Sequence, residues 1–141
     1  MMIINQYFLI LFTLFIQPSI STLELEIGEF RNTKGHLLVS VFDNSNDFPD
    51  NEQNALVNKK VKVTQKKHTI LIEDLPEGEY AVVFLHDENG NEEMDTNFVG
   101  APTEGYGASN DAVNTFSAPK YKDAKFLLEG EKKSLKLKIF Y

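Results

Sequence analysis

Residues 75–86, LPEGEYAVVFLH, decide how this chain is read. Pro76 and Gly78 supply a turn, because proline presets one backbone angle and glycine tolerates the others. Glu79–His86 then runs almost without interruption through apolar and β-branched residues, the pattern of a buried central strand. Tyr80 stands just beyond the turn, where its hydroxyl can fold back onto the turn backbone as a tyrosine corner.

The neighbouring segments share the period of two that places alternate side chains on one face of a strand. Leu23, Leu25 and Ile27 lie on one face and Glu24 and Glu26 on the other. Leu37, Val39 and Val41 repeat the pattern, as do Val61 with Val63 and Ile70 with Ile72. Phe126 with Leu128, and then Leu135, Leu137 and Ile139, complete it. No amphipathic helix competes, and residues 51–58 have room for one short helical turn. About seven short strands separated by turn residues predict an all-β fold, an antiparallel β-sandwich of immunoglobulin-like or transthyretin-like architecture. Its core is expected to include Leu25, Ile27, Val39, Val41, Ile72, Val82, Phe84, Leu137 and Ile139.

The 141 residues suit one domain behind a leader. Residues 1–21 carry no charged side chain, Tyr7–Ile16 is nearly all apolar, and Ser19-Ile20-Ser21 gives a small-x-small cleavage pattern. This reads as a signal peptide, although no Lys or Arg precedes the apolar run. The run is shorter than the roughly 20 residues that span a bilayer. The mature domain is expected to be residues 22–141, exported to the periplasm or beyond the cell, with no membrane insertion after signal removal. There is no cysteine, so disulfides, thiolate metal sites and a cysteine nucleophile are excluded. The net charge of -7 makes nucleic acid an unsuitable partner and suits solubility, cations or a basic partner.

Two connections are long. Residues 43–58 are polar. Residues 87–122 are longer than a compact domain needs for a simple link, and such loops tend to carry function. Within the second, Asp87, Asn89, Asn91 and Asp95 fall at positions 1, 3, 5 and 9 of a loop, with the Glu93 backbone carbonyl as a further oxygen donor. Calcium prefers such oxygens. The match to an EF-hand loop is partial, since Gly90 sits at position 4 and Phe98 at position 12. Asn89-Gly90 is also a hairpin-turn signal, so a solvated turn is the competing reading. The three histidines, His36, His68 and His86, lack zinc-ligand spacing. Residues 96–121 are expected to fold back as a flap anchored by Phe98, Tyr106 and Phe116. The surface built from His86, Glu104, Tyr106 and Asn110 is the expected contact for an unknown protein or small ligand.

The run from Leu75 to Asn110, with FSAPKYKDAKF downstream, resembles the DUF2141 family of exported bacterial proteins. The resemblance rests on the His86-Asp87-x-Asn89-x-Asn91 run, the Asp95-Thr96-Asn97 step and Glu104-Gly105-Tyr106-Gly107, in that order. It covers the chain from about Leu23 to Tyr141. It implies a secreted or envelope β-domain and brings no established activity with it. The expectation is a non-enzymatic binding or structural module, with calcium as a candidate stabiliser of its long loop. The alternative is a small envelope enzyme using the His86, Asp87 and Glu104 region.

Overall fold

The computed structural model describes residues 19–114 and 117–141. Eight strands form two sheets: β1 (Ile20–Gly28), β2 (His36–Phe42), β3 (Val57–Lys62), β4 (Lys67–Pro76), β5 (Gly78–Asp87), β6 (Gly105–Ala108), β7 (Phe126–Leu128) and β8 (Lys132–Lys138). Among the described residues, helix is limited to one turn, α1 (Tyr121–Ala124), and two 3-10 turns at Glu52–Asn54 and Ser109–Asp111. No helix among the described residues is long and apolar enough to cross a membrane.

The first sheet has the order β4-β1-β8 and the second β3-β2-β5-β6, with β7 also paired to β5. The alternating apolar residues of the two sheets face one another. Leu23, Leu25 and Ile27 of β1, Val39 and Val41 of β2, Ile72 of β4, Val82 and Phe84 of β5 and Leu137 of β8 form one buried cluster. Ile139 lies at its edge, half-buried. The architecture is therefore a β-sandwich, as the alternation predicts. It differs from the expected antiparallel seven-stranded form in two ways. The pairing of β1 with β8 is parallel, while β1 with β4 and every pair of the second sheet are antiparallel. The additional strand is β6, inside the long polar loop.

The chain passes from the first sheet to the second at Pro76-Glu77-Gly78. The Tyr80 hydroxyl donates to the Pro76 carbonyl at 2.8 Å, which is the predicted tyrosine corner. β5 is the central strand, bordered by β2 on one side and by β6 and β7 on the other. Its last residues, His86 and Asp87, are thus delivered to the end of the sandwich with both flanks paired or packed.

The leader assigned to residues 1–21 lies mostly outside the described residues. β1 begins within its last two positions, at Ile20, and Ser21 is buried with its hydroxyl donating to the Gly130 carbonyl.

Candidate functional site

The end of β5 carries an unusual load of buried polar groups. His86 and Asp87 are both 0% exposed, and Glu104 is buried at the start of β6. A buried polar group costs free energy unless it is hydrogen-bonded. Each of these three has hydrogen-bond partners on both of its polar side-chain atoms.

Asp87 caps the loop that follows it. Its Oδ1 accepts the Gly90 N–H at 2.8 Å and its Oδ2 the Glu92 N–H at 3.1 Å. Gly90 and Glu92 both have positive φ, so the chain curls tightly around the carboxylate. Asp95 closes the outer side, where its two carboxylate oxygens accept the side-chain amides of Asn89 and Asn91. The Asn89 and Asn91 side-chain oxygens accept the N–H groups of Asn91 and Glu93, each at 3.0 Å. Glu104 ties this loop to β6: its Oε1 accepts the Glu88 N–H at 2.8 Å and its Oε2 the Asp95 N–H at 3.4 Å.

The predicted metal set, Asp87, Asn89, Asn91, Glu93 and Asp95, is therefore gathered in one loop. In this arrangement the side-chain oxygens of Asp87, Asn89, Asn91 and Asp95 accept N–H groups of the loop itself. Among the described residues, no group of three His, Cys, Asp or Glu side chains is placed to hold a metal ion. A cation at these oxygens would compete with those hydrogen bonds.

His86 is held between two chain segments distant in sequence. The Lys34 carbonyl lies 2.8 Å from Nε2 and can only accept, so Nε2 carries the hydrogen. Nδ1 then accepts from the Tyr141 hydroxyl at 2.8 Å. That hydroxyl accepts in turn from the Arg31 backbone N–H at 3.0 Å. Phe30 packs edge-on against the imidazole, with ring centroids 5.0 Å apart.

Arg31 is the strap over this end of the sandwich. Its guanidinium stacks over the Tyr141 ring at 4.5 Å, donates Nε to Glu88 Oε1 at 2.7 Å, and reaches the Thr103 carbonyl through Nη2 at 2.9 Å. Asn32 donates to the other Glu88 oxygen at 2.7 Å. Burial pushes the Glu88 carboxyl up. The hydrogen bonds from Asn32 and Arg31 and the positive charge of Arg31 outweigh burial and hold it below the usual carboxylate range. Burial raises the Tyr141 hydroxyl above its ordinary value, and the Glu88 charge adds to the rise against the opposing effect of Arg31. Arg31, Asn32 and Tyr141 do not figure in the site read from sequence. They stand far from residues 86–104 along the chain, and no local spacing links them to it.

Tyr141→Phe keeps the ring and the stacking but leaves His86 Nδ1 and the Arg31 N–H without this partner. We expect a loss of about 1–2 kcal/mol in unfolding free energy, read from urea denaturation. A change within about 0.5 kcal/mol would show that the tie adds nothing beyond packing.

The remaining expected positions divide. Tyr106 is half-buried on β6, opposite Leu85 in the register. Asn110 lies beyond the other end of β6 from Glu104. Its amide donates to the Asp123 and Lys125 carbonyls, so it serves the α1 segment and is not part of the Asp87 loop. Phe98 corrects the expectation of a flap held down by its aromatic residues, for it is 99% exposed. Phe116 lies outside the described residues.

The reason for the exposure of Phe98 is local. Thr96 and Pro102 form an antiparallel bridge, the Asn97 N–H donates to the Ala101 carbonyl, and the Asn97 side-chain oxygen accepts from both Val99 and Ala101. Asn97 thus satisfies its own turn and fixes a tight projection with Phe98 and Val99 at its tip. Val99 is 70% exposed and Met94 is also exposed.

A family model described as an uncharacterised protein conserved in bacteria, DUF2141, matches residues 25–136. The chain belongs to the DUF2141 family. The match takes in six strands whole, β2 to β7, with parts of β1 and β8, and includes the whole Asp87 loop and the Phe98 projection, whereas Tyr141 lies beyond it. No curated protein matches this DUF2141 chain. No solved structure matches it either.

Proposed function

We propose that this DUF2141 chain is an exported binding module of the bacterial periplasm or cell exterior, acting through the end of the sandwich built from residues 86–104. One observation carries the reading: a hydrogen-bonded polar base holds an apolar tip, Phe98 and Val99, out in solvent. Exposing a large aromatic side chain on a rigid turn forgoes the roughly 1.5–3 kcal/mol its burial would contribute. A preorganised aromatic anchor regains that free energy when it enters a partner's pocket. The uncharged apolar leader supports export. The enzyme alternative has less support, because His86, Asp87 and Glu104 are buried and hydrogen-bonded to Lys34, Tyr141 and the loop backbone.

A photo-crosslinking side chain at position 98 tests the reading in the cell of origin, with the same group at position 71 as control. Leu71 is exposed on β4 of the other sheet. We expect a discrete cross-linked product from position 98 and none from position 71. Equal or absent cross-linking at the two sites would overturn the module reading.

Calcium stabilisation of the loop is a separate proposal, supported by the presence of Asp87, Asn89, Asn91 and Asp95 in one tight turn. Binding would require Asp95 to exchange the Asn89 and Asn91 amides for the ion. A calcium loop of this kind, with a Kd of about 0.1–1 mM, should raise the melting temperature at millimolar calcium, and Asp95→Ala should remove the rise. A melting temperature independent of calcium would identify the loop as held by its own N–H donors.

A further inference from the structure

Among the described residues, the outer face of the five-stranded sheet is only half covered. At one end Phe42, Ala81 and Ala108 are packed under Phe48 and Ala124, forming a second small core, with Tyr121 against it. Toward the other end the outward row Leu38, Leu85 and Tyr106 opens into a groove of about 970 Å³. Pro49, Asp50 and Glu52 form part of one wall, and Met94 with Val99–Pro102 forms part of the other. The groove therefore begins beside the exposed tip, and Val99 belongs to both.

Its charges are of one sign. Asp50, Glu52, Glu92 and Glu93 line it, and no Lys or Arg does so among the described residues. Lys60 of the edge strand β3 pairs with Glu92 from outside this lining. Glu52 feels the crowding: burial first, then the charge of Glu92, raises its carboxyl above the usual range. An apolar floor inside an acidic rim favours an occupant with an apolar group and a nearby positive charge. Burying the first removes apolar surface from water, and the second offsets the mutual repulsion of the rim.

We propose that this groove binds a peptide segment of a partner protein, with an apolar side chain on the Leu38–Leu85–Tyr106 floor and a lysine or arginine against Glu52 and Glu93. A chain segment suits the site better than a compact ligand. The groove is at the upper end of single-ligand volumes and continues onto the Val99 and Phe98 tip, an extended apolar track. A second copy suits it less well. A two-fold contact through this face would bring the acidic rims of both copies together. The inference rests on the binding-module reading and specifies its partner.

The test uses three fluorescein-labelled peptides, KLFKLFK, SLFSLFS and ELFELFE, titrated with the purified protein and read by anisotropy. We expect KLFKLFK to bind at least about tenfold more tightly than ELFELFE, with the preference shrinking in about 0.5 M salt. Val99→Asn, a neutral change at an exposed position, should weaken KLFKLFK binding about tenfold without changing the melting temperature. The double variant Glu52→Gln with Glu93→Gln should weaken KLFKLFK by about fivefold and leave SLFSLFS unchanged. Equal affinity for the three peptides, no binding of any, or binding indifferent to these variants would overturn the proposal. So would a dimer in sedimentation velocity, or flotation with zwitterionic lipid vesicles, that Val99→Asn abolishes. Cross-linking at position 98 alongside any of those results would retain the module reading and remove the groove peptide from it.

Discussion

Gly35→Ala is expected to cost about 3 kcal/mol or more of folding stability, the largest effect of any single methyl group added near the site. Gly35 has φ of 63°, in the left-handed region where an L side chain is strained. A Cβ there would overlap the Asp87 carbonyl oxygen and lie 2.7 Å from the Glu88 Cα. Those atoms are backbone, and no side-chain rotation relieves the clash. The β1–β2 connection would have to lift from the end of β5, taking with it the Lys34 carbonyl bound to His86 and the Val63 N–H bond to the Gly35 carbonyl. Urea denaturation gives the magnitude. Gly90→Ala is the control: it has positive φ, at 80°, but nothing lies within 4 Å of the added Cβ. It should cost only the backbone strain, about 1 kcal/mol. Similar losses for the two variants would show that close packing at Gly35 is not what joins the connection to β5.

The fold was largely legible because its information is local. Alternation in Leu23–Ile27, Leu37–Val41 and Leu135–Ile139 places one face of each strand against the core, and burial follows from that periodicity. The Tyr80 corner is equally local, four residues from its acceptor. β6 was not legible, since Gly105-Tyr106-Gly107-Ala108 has no apolar alternation. It is a strand because Gly107 lets the Phe84 ring and the Lys138 carbonyl come within less than a side chain's reach of its backbone. The parallel β1–β8 pair joins residues more than a hundred positions apart, and nothing in either segment states its direction.

The site was half legible for the same reason. The polar run after β5 announces a built loop, and Asp87, Asn89, Asn91 and Asp95 do lie together. Oxygen-rich spacing alone does not say whether the oxygens face a cation or amide hydrogens, because both want the same acceptors. The turn chemistry of Asn97 outweighed the apolar character of Phe98, so an aromatic residue expected inside stands outside. Arg31 and Tyr141 meet only through the folded topology, which brings the end of β1 and the chain terminus over β5.

Asp87 is the second position where a large effect is expected, and its variants separate structure from ligand binding. Asp87→Ala removes both acceptors of the Gly90 and Glu92 N–H groups at a place with no access for a bulk solvent replacement. A hydrogen bond to a charged acceptor is worth about 1.5–3 kcal/mol, and part of the loss is recovered as the exposed loop relaxes, so a net loss of about 3 kcal/mol is expected in urea denaturation. Asp87→Asn retains one acceptor oxygen and turns an N–H group toward a backbone donor, so it should lose nearly as much. Asp95→Ala breaks only bonds to the exposed side chains of Asn89 and Asn91 and should cost about 1 kcal/mol or less. This order, Asp87 well above Asp95 in metal-free buffer, is required if Asp87 is the loop's internal cap. Equal losses at Asp87 and Asp95, appearing only when calcium is present, would instead make them partners around an ion. The unfolding curves with and without chelator therefore decide what organises the base on which Phe98 and Val99 are presented.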